Sequence, residues 1–551
     1  MQRRWSSPRR WPPPNQEGLH ARRTTPPGGD PRPAGALAGA ALGGALLLLS
    51  GSAAADQYRR PAEPSVLADS ATDLTQVVDA FDEVNDFDLH LSLTFKQSTR
   101  SAPIYRETSL AASGSTTGYI SGDLDVANYS ETTNRLIPAA DIGLFRDIAL
   151  RVRLPIILSN VRSLSARGAS SSDPANPPPA LAGLPGEQLF SVPFESPTRS
   201  GIEYLAIGLE VGLMNQYRQR ARPTWVVGFE GRFNVSEPMR ACNASAGDAA
   251  AAAERDVPLV ACAHPSDVNR DGIADPNDDP ARGPLEGNFS GTRRPGVSRG
   301  TTGLEAHTFV SKRIKYVEPY GGLRGLVELP TSSSDFGSAS LGASHRPPVR
   351  GSLVVGTAIV PWEIRERHQR LVFDTRLRST YVSTGRDYSE LFDALGSSSA
   401  ASLRAPRFAG HMPNLDASGR VDESNPSVVD PSSRRVYFTG LTEVQHHARF
   451  ELSGQFTWQA GEYVKFDVGG AWHIVQGHII TFDRPCEQDG AAEVTLAGPC
   501  KQNVGSEEAP EWSPTGTPNP NYRTVINAPG NRFRVGTSHG LDAWIRASVM
   551  F

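Results

Sequence analysis

The sequence predicts an all-β protein, an antiparallel transmembrane β-barrel of about twelve strands with long extracellular loops and short periplasmic turns. Two observations lead to this prediction. Apolar and polar residues alternate with a period of two in about a dozen segments, which places them on opposite faces of strands. Short and long connections join these segments in turn, as in membrane barrels whose turns and loops lie on opposite sides.

Composition excludes several other classes of protein. The 551 residues include 55 basic and 59 acidic side chains, and the formal net charge is -4. Without a basic surplus to neutralise a phosphate backbone, nucleic acid is not an expected partner. The mean hydropathy is -0.35, and no apolar run after the N-terminal region approaches the length of a membrane-spanning helix. Composition does not exclude a transmembrane β-barrel, because its alternating strands have the mean hydropathy of a soluble protein.

Residues 1–55 have the pattern of a secretory signal peptide. Seven arginines precede the apolar stretch 34–49, and the small residues Ser-Gly-Ser-Ala-Ala-Ala follow at 50–55. A charged region, an apolar region and a small-residue cleavage site have this order, so cleavage is expected near Ala55. The alternative is a disordered proline-rich tail that precedes a membrane anchor.

Residues 56–86 are predicted to be a periplasmic segment with a short amphipathic helix over 71–85. The apolar residues of this helix recur near helical spacing, at Leu74, Val77, Val78, Phe81 and Val84. Such a helix would either plug the periplasmic mouth of the barrel or cap it.

The barrel itself is predicted over 87–551, and its last strand shows the alternation best. Within 532–551 the odd positions are almost all apolar, from Phe533 and Val535 to Phe551, whereas the even positions include Arg534 and Arg546. The twelve predicted strands are 87–98, 134–145, 148–161, 201–217, 224–236, 302–313, 316–329, 349–362, 370–384, 444–459, 463–481 and 532–551.

The connections sort by length. Only a few residues follow strands two, four, six, eight and ten, whereas long polar loops follow the odd-numbered strands up to the eleventh. The longest loops are predicted at 237–301, 385–443 and 482–531. This asymmetry favours a barrel with both termini in the periplasm.

With these features the chain resembles Gram-negative outer-membrane β-barrels of the porin-like kind, over nearly all of the sequence that follows the signal peptide. Its last strand ends in Ala547-Ser-Val-Met-Phe551, with Phe551 in phase with the apolar face. This end is similar to the signature by which the barrel-assembly machinery recognises that class. The resemblance implies an outer-membrane location, contact with outer-membrane lipid and the assembly machinery as a partner. The alternative is a secreted β-sandwich that buries the same apolar residues in an ordinary core.

If the apolar faces meet lipid, the opposite faces line the lumen. The candidate lumen residues are Arg151, Arg153, Glu210, Glu230, Arg232, Glu305, His307, Arg324, Glu328, Asp374, Arg376, Arg378, Arg449, Glu451, Asp467, Arg534, Asp542 and Arg546. Two interpretations of this arginine-rich interior are open. Opposite charges pair across strands and hold the barrel together, or an arginine ladder guides anionic solutes. Arg376, Arg378 and the facing Arg449 are the best candidates for a positive excess.

Barrel size limits the function. About eight strands fill their own interior and sixteen leave a wide channel, so twelve strands predict a narrow passage. We therefore expect a channel or passive transporter for small solutes. The alternative is a non-conducting barrel whose extracellular loops bind a ligand or a partner cell, and an outer-membrane hydrolase is the least favoured function.

No catalytic residues can be assigned from their spacing, so no enzymatic activity is expected. The histidines His446, His447, His473 and His478 are interpreted as ordinary strand or rim residues. The aromatic residues Tyr381, Trp458, Trp472 and Trp544 are predicted to form the interfacial belt that membrane proteins place at the lipid headgroups.

The four cysteines form two local pairs, Cys242 with Cys262 and Cys486 with Cys500, each within one long loop. In an exported protein these spacings predict two disulfides, because the compartment is oxidising and no metal-binding CxxC spacing is present.

An acidic motif follows Cys262. Oxygen ligands recur at loop positions 1, 3, 5, 7, 9 and 12, with a glycine at position 6, and the predicted ligands are Asp267, Asn269, Asp271, Ile273 through its backbone carbonyl, Asp275 and Asp278. Such a set suits Ca²⁺. The motif resembles the calcium loops of thrombospondin type 3 repeats and dockerins, although the shorter Asp278 stands where an EF-hand has a bidentate glutamate. The resemblance implies a structural Ca²⁺ in an extracellular loop, and a merely acidic turn is the alternative.

Overall fold

The computed structural model describes residues 70–78, 88–111, 119–167, 177–216, 218–244, 261–262, 292–336, 346–404, 411–413, 427–429, 438–485, 501–503, 512–514, 519 and 521–551. The predicted signal peptide, residues 79–85 of the predicted helix, the calcium motif and the Cys486–Cys500 pair lie outside these residues. Within them, no helix is long and apolar enough to cross a bilayer.

The described chain is built almost entirely of strands. Their bounds are β1 (Leu89–Ala111), β2 (Tyr119–Phe145), β3 (Ile148–Arg153), β4 (Ile156–Ala166), β5 (Phe194–Glu195), β6 (Arg199–Ile202), β7 (Leu205–Met214), β8 (Thr224–Phe233), β9 (Ala261–Cys262), β10 (Thr292–Arg293), β11 (Thr301–Ser311), β12 (Val317–Pro330), β13 (Arg350–Ile364), β14 (Gln369–Val382), β15 (Gly385–Asp387), β16 (His411–Pro413), β17 (Ser427–Val429), β18 (Thr442–Val444), β19 (His447–Gln459), β20 (Val464–Val475), β21 (His478–Ile479), β22 (Lys501–Asn503), β23 (Trp512–Pro514), β24 (Phe533–Val535) and β25 (Ser538–Met550).

The main sheet closes on itself as a twelve-stranded antiparallel barrel. Each barrel strand pairs with the next along the chain, and β25 returns to pair with β1, where Leu91 lies opposite Val549. Four barrel strands are interrupted and count as one each: β3 with β4, β5 and β6 with β7, β20 with β21, and β24 with β25. The first interruption lies at Pro155, which has no amide hydrogen to donate to the ladder. The predicted fold class is therefore confirmed.

The outward faces of the strands are apolar. Large side chains that stay exposed on this surface include Leu93, Phe229, Leu323, Val468 and Leu541, each between 49% and 62% exposed. A continuous apolar surface of this kind is unfavourable in water and is accommodated by lipid. The period-two alternation thus separates a lipid-facing surface from a charged interior, as the sequence predicts.

The first loop differs from its prediction. The loop expected at 99–133 is instead strand in its described parts, where residues 99–111 extend β1 to 23 residues and residues 119–133 extend β2 to 27 residues. The register of β1 and β2 continues from Leu89 opposite Ile142 to Ala111 opposite Tyr119, with one irregularity beside Ile104. The outward residues of this segment are polar and do not face lipid. The sequence therefore lacks the apolar alternation that predicts a strand.

The start of the last strand also differs. The strand is interrupted between β24 and β25, at Gly536 and Thr537. A shift of one residue there moves the following side chains to the opposite face, so the alternation changes phase. Phe533 and Val535 are therefore buried inside and do not face lipid. Arg534 points outward, where it pairs with the exposed Asp123 at 2.8 Å. Its prediction as a lumen residue is wrong.

Trp544 is a second correction. It lies on the inward face of β25 and lines the lumen, where its indole nitrogen donates to Gln455 at 3.2 Å. It is not an interfacial belt residue. Tyr381, Trp458 and Trp472 remain about half exposed on the outer surface, as that belt requires.

Several long loops pack together over the extracellular end of the barrel, and we call this cluster the cap. It contains the short helices Phe392–Gly396, Ala401–Arg404 and Thr524–Asn527, and a 3-10 turn, Arg365–Arg367, lies apart at the periplasmic end. The cap core includes Leu181, Leu189, Phe190, Val192, Leu391, Leu395, Leu403, Phe438, Ile526 and Phe533.

Two buried ion pairs and a disulfide hold the cap together. Arg199 forms a bidentate pair with Asp393, with contacts of 2.6 and 3.0 Å. Arg386 donates to Asp483 at 2.9 Å. Cys242 and Cys262 are joined by a disulfide, which confirms that predicted pair. Because bidentate guanidinium–carboxylate contacts fix both partners in one geometry, the loops hold a defined arrangement.

At the other end, residues 70–78 lie within the barrel. They form turns followed by irregular chain, not the helix predicted from residue 71. Ala71 packs against Ala358, Val360 and Val372, and Leu74 against a second small apolar cluster. These inward apolar side chains of the barrel wall give the segment its docking surface, so it enters the periplasmic half of the lumen.

Candidate functional site: a charged lumen

The barrel encloses a cavity of about 850 Å³ between the cap and residues 70–78. Thirteen of its lining residues are basic: Lys96, Arg100, Arg151, Arg153, Arg232, Arg299, Arg324, Arg350, Arg376, Arg378, Arg449, Lys465 and Arg546. Eight are acidic: Asp73, Asp141, Glu305, Asp374, Asp387, Glu390, Glu451 and Asp542. The surface that faces the cavity therefore carries more positive than negative groups.

On one side of the lumen the charges form a continuous network across β2, β3, β7, β8 and β11. We call this side the network wall, and it consists of Asp141, Arg151, Arg153, Glu210, Glu230, Arg232, Glu305 and His307. Arg151 contacts Asp141 at 2.7 Å and Glu210 at 2.6 Å. Glu305 pairs with Arg232, and also with Arg324 of β12 at 3.1 Å. Each carboxylate here has at least one close basic neighbour.

The opposite side has fewer acids. We call it the arginine wall, and it consists of Arg324, Ser352, Arg376, Arg378, Thr380, Arg449 and Glu451 on β12, β13, β14 and β19. Glu451 lies 3.5 Å from both Arg378 and Arg449. One carboxylate thus faces two guanidinium groups at distances longer than the guanidinium–carboxylate contacts of the network wall, whereas Arg376 pairs with Asp374 at 3.0 Å.

Acidic and basic side chains differ in depth. The Glu305 side chain is 2% exposed and that of Arg324 is 27% exposed, while Glu451 is 12% exposed against 40% for Arg449. Arginines reach further into the lumen because their stems are longer and their heads favour a polar environment. At these two pairs the carboxylate is recessed behind the guanidinium group, whereas Asp141 is as exposed as Arg151 and Asp73 is as exposed as Arg546.

At the periplasmic end, Asp73 ties the N-terminal segment to the barrel. Its carboxylate pairs with Arg546 and contacts Lys465 at 3.3 Å. Arg546 also pairs with Asp467 at 2.7 Å. Nearby, Glu318 accepts hydrogen bonds from Ser70 and from the backbone of Ala71. Residues 70–78 are thus held by charge as well as by apolar contacts.

At the extracellular end, Glu390 of the cap enters the lumen and pairs with Arg100 of β1. Burial alone would raise the pKa of Glu390, but the Arg100 guanidinium, together with His478 and a backbone hydrogen bond, holds the pKa below its usual value. Asp387 forms a second link, with contacts to Arg299 at 2.7 Å and to Arg350 at 3.4 Å. Ion pairs therefore fasten the cap to the barrel wall.

Most of the predicted lumen residues lie in the cavity wall. Those that line the cavity are Arg151, Arg153, Arg232, Glu305, Arg324, Asp374, Arg376, Arg378, Arg449, Glu451, Asp542 and Arg546. Glu210, Glu230, His307, Glu328 and Asp467 are buried behind them in ion pairs. Arg534 is the exception, for the reason given above.

Sequence reasoning missed several lining residues. Lys96 and Arg100 lie at even positions of β1, so extending the alternation of that strand would have found them. Asp73 and Glu390 lie in irregular segments and Asp387 ends the short strand β15, and these segments enter the lumen from its two ends. No periodicity marks such residues, because only the packing of the cap and of residues 70–78 brings them inside.

The histidines occupy several different environments. His447 and His478 line the cavity and stack on each other with ring centroids 3.8 Å apart. The Nδ1 atom of each lies within hydrogen-bonding distance of a backbone carbonyl. His473 is buried on the inward face of β20. These contacts agree with their interpretation as strand and rim residues.

No protein-family model matches this chain, and no curated protein matches it. Among solved structures it is similar to an outer membrane channel from Pseudomonas putida F1, at 8% identity, over 86% of this chain and 100% of that one, with a TM-score of 0.32. A Pseudomonas aeruginosa FadL homologue is also 8% identical, over 85% and 90% of the two chains, with a TM-score of 0.28. The outer membrane protease OmpT from Escherichia coli is 9% identical, over 85% and 99%, with a TM-score of 0.22.

These likenesses are distant, so the assignment of the fold depends on the strand pairing of this chain. A closed barrel with an apolar outer surface, a charged interior and alternating short and long connections is the architecture of Gram-negative outer-membrane proteins. The protein is an integral β-barrel of the outer membrane.

Proposed function

We propose that the protein is a channel or passive transporter for small solutes, and that its lumen favours anions. The observation that supports this most directly is the difference in depth between the guanidinium and carboxylate groups at the Arg324–Glu305 and Arg449–Glu451 pairs. Fixed positive charges that face the path lower the entry barrier for anions and raise it for cations, and the low-dielectric wall strengthens this effect.

Recordings from the purified protein in planar bilayers test this function. In a gradient of potassium chloride, the reversal potential should lie toward that of chloride. Reproducible cation-selective openings would contradict the anion preference. Residues 70–78 and the cap narrow the lumen at both ends, so conductance is expected to be small.

A second candidate is a non-conducting barrel that binds a ligand or partner through its extracellular loops. The observation that favours it is the cap, whose apolar core and buried Arg199–Asp393 pair form a defined surface. Absence of conductance, both in the wild type and in a variant whose periplasmic segment is released, would support this second function over the first. In both cases we propose no catalytic role for the lumen.

We further propose that the acidic motif from Asp267 to Asp278 binds Ca²⁺ and stiffens its loop. The supporting feature is the spacing of oxygen side chains around Gly272. Ca²⁺ should protect this loop from protease at concentrations of about 10⁻⁴ to 10⁻³ M, the range of extracellular modules. The double substitution Asp267→Ala and Asp271→Ala should remove that protection. Equal protection of wild type and variant would contradict the site.

We also propose that outer-membrane lipid surrounds the apolar belt and that the barrel-assembly machinery inserts the chain. The last strand supports the second proposal, since Phe551 keeps the outward phase of β25 and exchanges backbone hydrogen bonds with Leu89. Its side chain is half exposed at the edge of the lipid-facing surface.

A further inference from the structure

Four inward side chains of the arginine wall lie in one row across neighbouring strands. The strand register places Arg324 opposite Ser352, Ser352 opposite Thr380, and Thr380 opposite Arg449. The hydroxyl oxygens of Ser352 and Thr380 are 2.9 Å apart. Two hydroxyl groups are thus flanked by two guanidinium groups at one level of the barrel.

Arg378 adds a third guanidinium directly below this row. It precedes Thr380 by two residues on β14 and therefore points to the same face. Its Nε atom is buried without a hydrogen-bond partner among the described residues. Its acidic neighbour, Glu451, is shared with Arg449, and both contacts are 3.5 Å. Positive charge and donor capacity on this wall therefore exceed what the protein itself satisfies.

We propose that Arg324, Ser352, Arg378, Thr380 and Arg449 form a binding site for a small oxyanion, and that an organic carboxylate is its ligand. This inference deepens the proposed anion channel and rests on it. A planar guanidinium donates two parallel hydrogen bonds to a carboxylate. One hydroxyl hydrogen is used in the Ser352–Thr380 hydrogen bond, so the hydroxyl pair supplies one further donor at the same level. A halide ion cannot use this paired geometry.

The surroundings fit the carbon part of such a ligand. Leu326 and Val382 follow Arg324 and Thr380 by two residues on the same inward faces, one step toward the cap, and both line the cavity. A short carbon chain placed there would contact these apolar side chains while its carboxylate contacts the row. A phosphate ion would use the same guanidinium groups but would leave this apolar surface without a partner.

Acetate, phosphate and chloride are the probes that test the site. Half-inhibition of the chloride current by sodium acetate is measured in bilayers, and acetate binding to the detergent-solubilised protein is measured by saturation-transfer NMR, which does not require conduction. Arg378→Gln should weaken acetate binding about tenfold, as expected for a lost charge-assisted hydrogen bond. The double variant Ser352→Ala and Thr380→Val should weaken it about threefold.

Two matched controls lie outside the row. Lys96→Gln also removes one lumen cation, from a residue that pairs with Asp542 at 2.9 Å. Ser453→Ala removes a cavity-lining hydroxyl from the same wall, two residues beyond Glu451. Neither control should change acetate binding by more than about twofold. Arg378→Gln is a safe substitution for folding, because Glu451 keeps Arg449 as its partner.

The outcomes separate this site from the channel function. If Arg378→Gln and the double variant of Ser352 and Thr380 bind acetate as the wild type does, the proposed site is contradicted while the anion selectivity of the channel stands. If phosphate binds tightly and acetate does not bind, the carboxylate assignment is overturned. If NMR shows the expected losses but bilayers show no conductance, the site stands and the channel function fails.

Discussion

The two charged walls of the lumen are built from the same residue types but organise them differently. On the network wall, Glu305 contacts Arg232, Arg324 and His307, so each charge is compensated where it is buried. On the arginine wall, Glu451 is shared by two guanidinium groups at 3.5 Å. On the proposed function, one wall stabilises the barrel, whereas the other presents charge to solutes.

The largest expected effect is on stability, from a change to the network wall. Glu305→Gln removes the carboxylate from three basic partners, of which Arg232 keeps Glu230 and His307 keeps Glu210, while Arg324 loses its carboxylate partner. Breaking a buried pair in this way costs about 3 kcal/mol, so the free energy of unfolding should fall by about that amount. Urea unfolding of the barrel in lipid vesicles measures it.

The exposed Glu366 of the periplasmic 3-10 turn provides the control for this substitution. Glu366→Gln changes the same chemical group where solvent screens it, and should alter stability by less than about 0.5 kcal/mol. Equal decreases in the free energy of unfolding in the two variants would contradict the structural role assigned to the network wall.

Next in size is an effect on selectivity from the arginine wall. Glu451→Gln removes the shared carboxylate from Arg378 and Arg449 and increases the surplus of positive charge. The permeability ratio of chloride over potassium should rise about twofold, with a smaller loss of stability than in Glu305→Gln. A fall in chloride preference would show that Glu451, and not its two arginine neighbours, faces the path.

Release of the periplasmic segment should have an intermediate effect on conduction. Asp73→Asn removes the carboxylate that holds residues 70–78 to Lys465 and Arg546. Arg546 keeps Asp467 as a partner, whereas the buried Lys465 loses its carboxylate, so the free energy of unfolding should fall, but by less than in Glu305→Gln. Open probability in bilayer recordings should rise, and unchanged openings would mean that this segment does not restrict the lumen.

The smallest expected effect is the pH dependence of the cap. Because Arg100 holds the folded-state pKa of Glu390 below its usual value of 4.5, the pair stabilises the cap fully above that pH. The stabilisation is lost as the pH falls through the lowered pKa. Protease cleavage of the cap should therefore increase at acidic pH in the wild type, and Glu390→Gln should lack this component. Identical pH profiles would contradict the role of the pair.

Much of the barrel could be predicted from the sequence, because lipid and lumen impose opposite chemistry on alternate residues of a strand. That is why Arg151, Arg378 and Arg449 were found on the inward face. The alternation no longer predicts which face a residue occupies once a strand changes phase, and this is why Arg534 was wrongly predicted to face the lumen. It also fails for β1 and β2 beyond the lipid region, where neither face needs to be apolar.

The cap and the N-terminal segment could not be predicted, because distant contacts form them. Leu391 and Leu403 lie in a connection predicted as a long polar loop, and many of their apolar partners come from other loops. Likewise, Asp73 becomes a lumen residue only through Arg546, which lies almost at the other end of the chain. Local sequence patterns do not predict contacts between residues that lie far apart in the chain.

The reversal potential in a potassium chloride gradient tests the central claim most directly, when Arg378→Gln is compared with Lys96→Gln. Both substitutions remove one positive charge from the lumen. The account predicts a chloride-selective wild type, a clear loss of chloride preference in Arg378→Gln and a smaller loss in Lys96→Gln. A cation-selective wild type, or equal shifts in the two variants, would contradict it.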